Sequence, residues 1–423
     1  MNKYSIIIFT LCVFPFVLKA QTLTIDQAQA KASAHYPAIA RYGIIEQTKD
    51  FNIANANKAY LPQGSMNAQA TWQSDVTKID LTLPQGFPVL EIPVPDKDQY
   101  KVVAEVNQLI WDGGKISAQK KSIEANAELE KQKLNSEVYA LRERVNNLYF
   151  GILLLEEQLS QQEIWEKELQ RNYDKIQTYI NNGVANDADL SAVKVEQLKA
   201  GQQRIQLQSA REAYSKMLSV LIGEKIDENT SFEKPLPETT LPAIEIKRPE
   251  LNLFSAQETL IESQETLLRA KNMPVIGAFA QGGYGKPGLN MFENKFNPFF
   301  IGGIRLSWNF GNLYTFANEK KNIELQKKTV DAQRETFLYN LNVQIPQQQI
   351  EIEKFRKTMK DDDEIIALRK IIREAAEVKV ENGTMTVSDL LQEINAEEVA
   401  KQAKALHEIQ YLMSIYNLKY TTN

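Results

Sequence analysis

The sequence predicts a mainly α-helical, internally duplicated chain with a small β part. Long runs of strong helix formers contain almost no proline or glycine, which indicates helices much longer than those of a globular domain. Four shorter segments alternate apolar and polar residues, which is the period of a strand with one apolar face. Landmarks of the first half recur in the second half in the same order, which indicates a duplication.

The first 20 residues have the features of a secretory signal peptide. Lys3 supplies the positive start, residues 6–17 an apolar core, and Ala20 the small residue at the end. The single cysteine, Cys12, lies inside this segment, so the expected mature chain has no thiol. No later stretch approaches the ~20 apolar residues of a membrane-spanning helix, so a membrane part would have to be made of strands.

The first repeat is predicted to span residues 21–234. Its opening helix begins near Thr24 and is broken at Pro37. A strand follows at residues 65–74, where Met66, Ala68, Ala70 and Trp72 share one face, and a second strand runs over residues 100–111. Residues 115–181 contain no proline, which predicts a helix on the order of 100 Å long. Such a length favours packing as an antiparallel coiled coil with the next helix.

Residues 248–423 repeat this plan after a proline-rich linker at 235–247. Pro37 and Pro249 are 249 − 37 = 212 residues apart. The second strand of this repeat is predicted at residues 300–310, and its Trp308 lies 308 − 111 = 197 residues after Trp111, the last residue of the strand at 100–111. Gly151 and Pro346 lie at similar positions in the long helices, where each marks either a change of packing partner or a tolerated kink.

Each repeat ends in a helical hairpin whose turn has a similar sequence. The first tip, residues 179–192, contains GVANDADL, and the second tip, residues 379–396, contains GTMTVSDL. Gly183 and Gly383 are suited to the left-handed backbone that closes a helix. Asp189 and Asp389 then fall in the first turn of the next helix, where a carboxylate is favourable.

Four strands in one chain are too few to close a barrel, because about eight is the smallest number that works. An open sheet edge cannot face lipid, so the chain must associate with copies of itself. Three copies would supply twelve strands. The polar faces would then line a watery lumen, and the apolar faces would meet lipid.

These features together resemble the TolC family of outer-membrane efflux factors. The resemblance covers nearly the whole mature chain and is carried by the two strand pairs, the two tips, and a W-[DN]-x-G turn after each pair, at residues 111–114 and 308–311. It implies a homotrimer in the cell outer membrane, with a twelve-stranded β-barrel and a helical α-barrel in the periplasm. It also implies passive conduction from an inner-membrane transporter of the RND or ABC type, docked through a periplasmic adaptor. The barrel-interface aromatics that it implies are Trp72, Trp111, Trp308 and Phe310.

The resemblance places gate residues at the tips. Asp389 sits where the family has a pore-lining aspartate, and Asp187 and Asp189 occupy the first tip. The family has a second acidic residue where this chain has Gln392, and an arginine where it has Met385. The family's charged contacts between hairpins are therefore not expected here, and apolar or Asn contacts would hold the gate. Helix capping explains the aspartates equally well, so both interpretations stay open.

The sequence contains no pattern for catalysis, a cofactor or a metal. It lacks an HExxH motif, a cysteine pair and a Gly-rich phosphate loop, and the acidic run at residues 361–364 is expected to be solvated. The net charge of −5 argues against nucleic acid. Two alternatives remain: a periplasmic coiled-coil adaptor, against which the strand pairs argue, and an exported structural protein without a membrane barrel.

Overall fold

The structure is a computed structural model that describes residues 22–79, 94–181, 186–227, 230–236 and 245–423. The predicted signal peptide, Cys12, Gly183 and most of the linker at 235–247 lie outside these residues. Within the described ranges, every helix is too short or too polar to cross a lipid bilayer.

Helices dominate the described chain, and the strands fall into short groups between them. The helices are α1 (Ile25–His35), α2 (Ala40–Lys58), α3 (Lys115–Tyr139), α4 (Leu141–Asn181), α5 (Asp187–Ile222), α6 (Pro249–Lys271), α7 (Asn312–Glu381) and α8 (Val387–Thr422). The strands are β1 (Thr22–Leu23), β2 (Gln63–Trp72), β3 (Asp98–Trp111), β4 (Ser231–Phe232), β5 (Val275–Lys286) and β6 (Asn297–Ser307).

The predicted break near Pro37 separates α1 from α2. Thr24 caps α1, because its hydroxyl accepts from the Gln27 amide while the Gln27 side chain accepts from the Thr24 amide. The helix ends at His35, and residues 37–39 form one 3-10 turn before α2 begins. Proline has a fixed φ and no amide hydrogen, so it starts this turn rather than continuing α1.

The chain divides into two compact units. Unit 1 comprises residues 1–39, 137–248 and 339–423, and unit 2 comprises residues 40–136 and 249–338. Unit 1 holds α1, α4, α5, α8 and the second half of α7. Unit 2 holds α2, α6, most of α3, the first part of α7 and the four longer strands.

The four longer strands form one antiparallel sheet in unit 2, in the order β2-β3-β5-β6. This order leaves β2 and β6 as the two edges. The pairing brings residues of the same parity together, as in the row Met66, Ala104, Gly282 and Phe300. Even-numbered residues therefore share one face, called the apolar face below, and odd-numbered residues share the polar face.

The main core of unit 1 is built around Tyr149 and Phe150 of α4, both fully buried. β1 and β4 pair in parallel beside them. The Tyr149 hydroxyl lies 2.7 Å from the Leu23 carbonyl and 2.8 Å from the Glu233 carbonyl, so it ties the start of the described chain to the segment after α5. Burial raises the pKa of this tyrosine strongly, which keeps the hydroxyl a donor.

The helix predicted over residues 115–181 is interrupted at Ala140, which separates α3 from α4. Tyr139 stacks on Tyr420 with ring centroids 5.1 Å apart, and its hydroxyl donates to the Tyr420 carbonyl at 2.6 Å. The guanidinium groups of Arg142 and Arg248 lie 4.8 and 4.7 Å from the Tyr139 ring. These tertiary contacts determine where α3 ends. The local sequence around Ala140 does not predict them.

Gly151 and Pro346 do not end their helices. α7 continues through Pro346, and α4 continues through Gly151. The reason for Gly151 is a neighbouring ring: a Cβ there would lie 2.4 Å from Cε2 of Tyr214 on α5. Of the two interpretations of Gly151, a packing role describes the structure better than a kink.

We expect Gly151→Ala to lower the free energy of unfolding by about 1–3 kcal/mol, the usual cost of overpacking. Gly201 is a matched control, because it also lies inside a helix but a Cβ there would meet nothing within 4 Å. Gly201→Ala should stabilise by about 0.5–1 kcal/mol through helix propensity alone. Guanidinium unfolding followed by circular dichroism measures both, and equal shifts in the two variants would contradict the packing role.

Candidate functional site

The apolar face of the sheet is open to its surroundings in a single chain. Met66, Phe300, Ile304 and Leu306 all lie on it and are largely exposed, Met66 and Ile304 by 75% each. Several exposed apolar positions on one sheet face form a patch of the kind that marks a lipid or protein interface. Four of them are the residues just named, and Val102 and Val106 are two others.

Exposure alternates along the middle of β3. Val102, Ala104 and Val106 are exposed, whereas the odd-numbered residues between and after them are half-buried. Along this stretch of β3 the polar face is therefore less exposed than the apolar face. Glycines occupy positions 277, 283, 285 and 303 on the polar face of β5 and β6.

Aromatic side chains mark both ends of the sheet. Trp72 pairs with Asp98 at one end. At the other end the ladder between β3 and β5 skips Ile110, so that Trp111 pairs with Ile276 and joins the apolar face despite its odd number. Trp308 and Phe310 follow β6 at this same end, with ring centroids 4.8 Å apart, and all four aromatics are exposed.

At the first tip, helix α5 is capped by Asn186, which was not identified from the sequence. The Asn186 side chain accepts from the amides of Ala188 and Asp189, and the Asp189 carboxylate accepts from the Asn186 amide at 3.0 Å. Asp189 therefore completes a reciprocal cap at the start of α5. Asp187 is exposed in the same turn.

At the second tip, α7 ends in a Schellman motif. Gly383 has φ of +66°, its amide donates to the Val380 carbonyl, and the Thr384 amide donates to the Lys379 carbonyl. Thr386 then caps α8 by accepting from the Asp389 amide, and its hydroxyl donates to the Asp389 carboxylate at 2.6 Å. Asp389 is exposed beside this cap.

The two remaining tip residues differ in environment. Gln392 is exposed, whereas Met385 packs against an apolar cluster that joins the two hairpins. Within this cluster, Leu169 and Ile176 of α4 and Val193 of α5 meet side chains of α7 and α8. The buried members from α7 and α8 are Ala376, Val380, Val387, Leu390, Leu391 and Ile394.

An ion pair also links the hairpins close to the second tip. Nζ of Lys175 on α4 lies 2.8 Å from Oε1 of Glu381, the last residue of α7. The hydrogen bond from Lys175 is the main cause that lowers the Glu381 pKa. We call this pair the latch; it is a charged contact between hairpins that the sequence reading did not expect.

A partly buried charge cluster holds α7 to α8 above the tip. Nε of Arg373 lies 2.6 Å from Glu397, and Nζ of Lys401 lies 2.8 Å from the same carboxylate. Burial alone would raise the Glu397 pKa, but the two cations outweigh it and the pKa is lowered. The neighbouring Glu398 has its pKa raised by burial.

The outer membrane efflux protein family matches residues 18–224, which include α1, α2, the first strand pair and the first hairpin. The chain belongs to this family. The efflux protein is therefore an outer membrane channel, and not an enzyme.

Solved outer-membrane proteins share the fold of this efflux protein. The CmeC channel of Campylobacter jejuni matches with a TM-score of 0.64 at 15% identity, over 94% of this chain and 85% of that one. VceC of Vibrio cholerae matches with a TM-score of 0.66 at 12% identity, over 94% and 96%. The open MtrE channel of Neisseria gonorrhoeae gives 0.63 at 13%, over 94% and 88%. A sequence search of curated proteins finds no significant match.

The acidic run of the efflux protein is exposed, as expected from its sequence, at three of its four residues, and Asp362 is the exception. Asp362 is only 5% exposed, and its carboxylate lies 2.9 Å from Nδ1 of His407 on α8. Asp363 pairs with Lys404 at 2.6 Å. The run thus fastens α7 to α8, and no group of metal-binding residues occurs in the described ranges.

Proposed function

We propose that this efflux protein is the exit duct of a tripartite efflux or type I secretion system. Three copies form a twelve-stranded barrel, and their long helices form an α-barrel in the periplasm. Solutes pass through it without being changed. The observation that carries this proposal is the four-stranded antiparallel sheet, whose apolar face is exposed and whose opposite face carries most of its polar residues.

The trimer follows from the edges of the sheet. β2 and β6 each leave one row of backbone donors and acceptors unpaired within the chain, a costly state in lipid. Pairing β6 of one copy with β2 of the next satisfies both rows. Two copies give only eight strands, whereas three give twelve and a lumen wide enough for solutes. The exposed tryptophans at both ends of the sheet suit the two lipid interfaces.

The two repeats, residues 21–234 and 248–423, are proposed to descend from one duplicated unit. Each contributes a strand pair to the sheet and a long hairpin to unit 1, which is the order expected of a duplication. Each hairpin ends in a tip, and the tips are the parts proposed to meet a periplasmic adaptor. The adaptor in turn joins the duct to an RND or ABC transporter of the inner membrane.

The gate is proposed to lie at the tips. Asp187, Asp189 and Asp389 bring three carboxylates per chain to these turns, so a trimer presents a strongly acidic ring that attracts cations. Opening requires the two hairpins of each chain to move apart. The latch between Lys175 and Glu381 and the apolar cluster containing Met385 hold them together.

Single-channel recording in planar bilayers tests the duct and its acidic tip. We expect the purified trimer to conduct, a trivalent cation to block it, and Asp389→Ala to weaken the block about tenfold through the loss of three charges. A wild-type trimer that folds but never conducts would disprove the duct.

Thr386→Ala separates the two roles of Asp389. It removes the cap hydroxyl, which should cost about 1 kcal/mol of stability, but it keeps the carboxylate. The cation block should therefore survive in this variant. If Thr386→Ala and Asp389→Ala lose the block equally, the carboxylate acts only through capping.

A further inference from the structure

Two phenylalanines lie on the polar face of the sheet. The ring of Phe299 covers Gly283 on the neighbouring strand, where a Cβ would lie 2.1 Å from Cζ of the ring. The ring of Phe279 covers Gly303 in the same way, with a Cβ distance of 3.2 Å to Cε1. A ring laid flat over a glycine stabilises strand pairing and leaves its outer face free to carry another group.

A cation occupies that outer face in both places. Nζ of Lys101 lies 4.9 Å from the centroid of Phe299, and Cζ of Arg305 lies 4.4 Å from the centroid of Phe279. Both distances fall within the range of a cation–π contact. Each contact restrains a long, flexible side chain, so that its charge stays near one position on the polar face.

The two cations differ in how their charge is balanced. Arg305 reaches Glu105 at 3.6 Å, and Gln281 donates to the same carboxylate at 2.7 Å. Lys101 makes no ion pair with an acidic residue in the described ranges; its partners across the two ladders are Gln69 and Gly285. On the odd-numbered positions of the four described strands the charged residues are Lys101, Glu105 and Arg305, so the polar face carries a net charge of +1.

We propose that Lys101, held over Phe299, makes the β-barrel part of the duct selective for anionic solutes. This inference rests on the proposed function, since it requires the polar face to line the lumen. Three copies would place a ring of three uncompensated lysines on the wall at the level of Gln69. A ring of like charge in a pore raises the local concentration of counter-ions, which favours the entry of solutes bearing carboxylate, phosphate or sulfonate groups.

The test is the reversal potential of single channels in a potassium chloride gradient at low ionic strength, where charges are least screened. We expect Lys101→Gln to lower the ratio of chloride to potassium permeability by roughly twofold, since one of the fixed wall charges per chain is lost. Phe299→Leu should produce a smaller change in the same direction, because Lys101 remains but loses the aromatic ring that holds its charge in one position. Lys97→Gln is the control, because Lys97 lies 6.0 Å from Trp72, whose ring belongs to the apolar face.

The possible outcomes distinguish a failure of this inference from a failure of the proposed function on which it rests. A selectivity change in Lys101→Gln but not in Lys97→Gln supports the lysine ring. Normal conductance with equal selectivity in wild type, Lys101→Gln and Lys97→Gln overturns the ring and leaves the duct intact. Absence of conductance from the folded wild-type trimer overturns the duct and the ring together.

Discussion

Glu381→Gln should raise the open fraction of the channel about two- to fivefold, because the latch loses its charge while the side chain keeps its size. Lys175→Met should act in the same direction, since it removes the other partner of the 2.8 Å pair. Mean conductance of many channels in a planar bilayer measures this fraction. The effect should be largest at low salt, which strengthens partly exposed ion pairs.

Glu374→Gln is the matched control for the latch. Glu374 is an exposed glutamate of the same helix, and its nearest cations, Lys370 and Arg373, also belong to α7. Its loss does not loosen one hairpin from the other. An equal rise in conductance for Glu374→Gln and Glu381→Gln would point to a general charge effect and remove the latch from the gate.

Acidification should open the channel through the same pair. The Glu381 pKa is lowered when Glu381 is paired with Lys175, so the latch is fully formed above about pH 4.3, the ordinary value for glutamate. It is lost as the pH falls through the lowered value. Conductance should therefore rise on acidification in wild type, and this part of the rise should be missing in Glu381→Gln.

Arg373→Met should lower the free energy of unfolding by about 3 kcal/mol. This substitution leaves Glu397 buried beside α7 with only Lys401 to balance it, and unpaired buried charges are costly. The expected loss is at the lower end of the range for buried pairs because Lys401 stays at 2.8 Å. Guanidinium unfolding measured by circular dichroism gives the difference.

Arg356→Met tests whether any lost arginine has this effect. Arg356 pairs with Glu353 at 2.9 Å on the exposed side of the same helix, so its loss should change stability by no more than about 0.5 kcal/mol. Similar losses in the two variants would contradict a special role for the buried cluster. The lowered Glu397 pKa adds stability above about pH 4.3 that is lost on acidification, and the raised Glu398 pKa opposes this.

The sequence predicts the sheet well because every second residue of a strand lies on the same face and therefore has the same environment. The strand expected at residues 65–74 is found at Gln63–Trp72, and the one expected at 300–310 is found at Asn297–Ser307. One apolar face and one polar face require only local alternation. The break near Pro37 is equally local, since a proline limits its own backbone and that of its neighbour.

Contacts between distant segments could not be predicted in this way. Lys175 and Glu381 are two ordinary charged residues separated by 206 positions, and only the packing of two hairpins brings them together. The burial of Asp362 against His407 and the break at Ala140 have the same origin. At the second tip Asp389 lies in the first turn of α8, where the sequence places it, but the residue that caps the helix, Thr386, was not identified from the sequence.

The small residues of the polar face also bear on how quickly cargo would travel. Three of the five odd-numbered positions on β5 between 277 and 285 are glycine, and the matching positions on β2 carry only short or neutral polar side chains. If this face lines the lumen, it offers a passing molecule few side chains to bind. Residence times along these glycine and neutral polar positions would be short for chemically unrelated compounds, so selection of solutes in this part of the route would be left to the charge of Lys101.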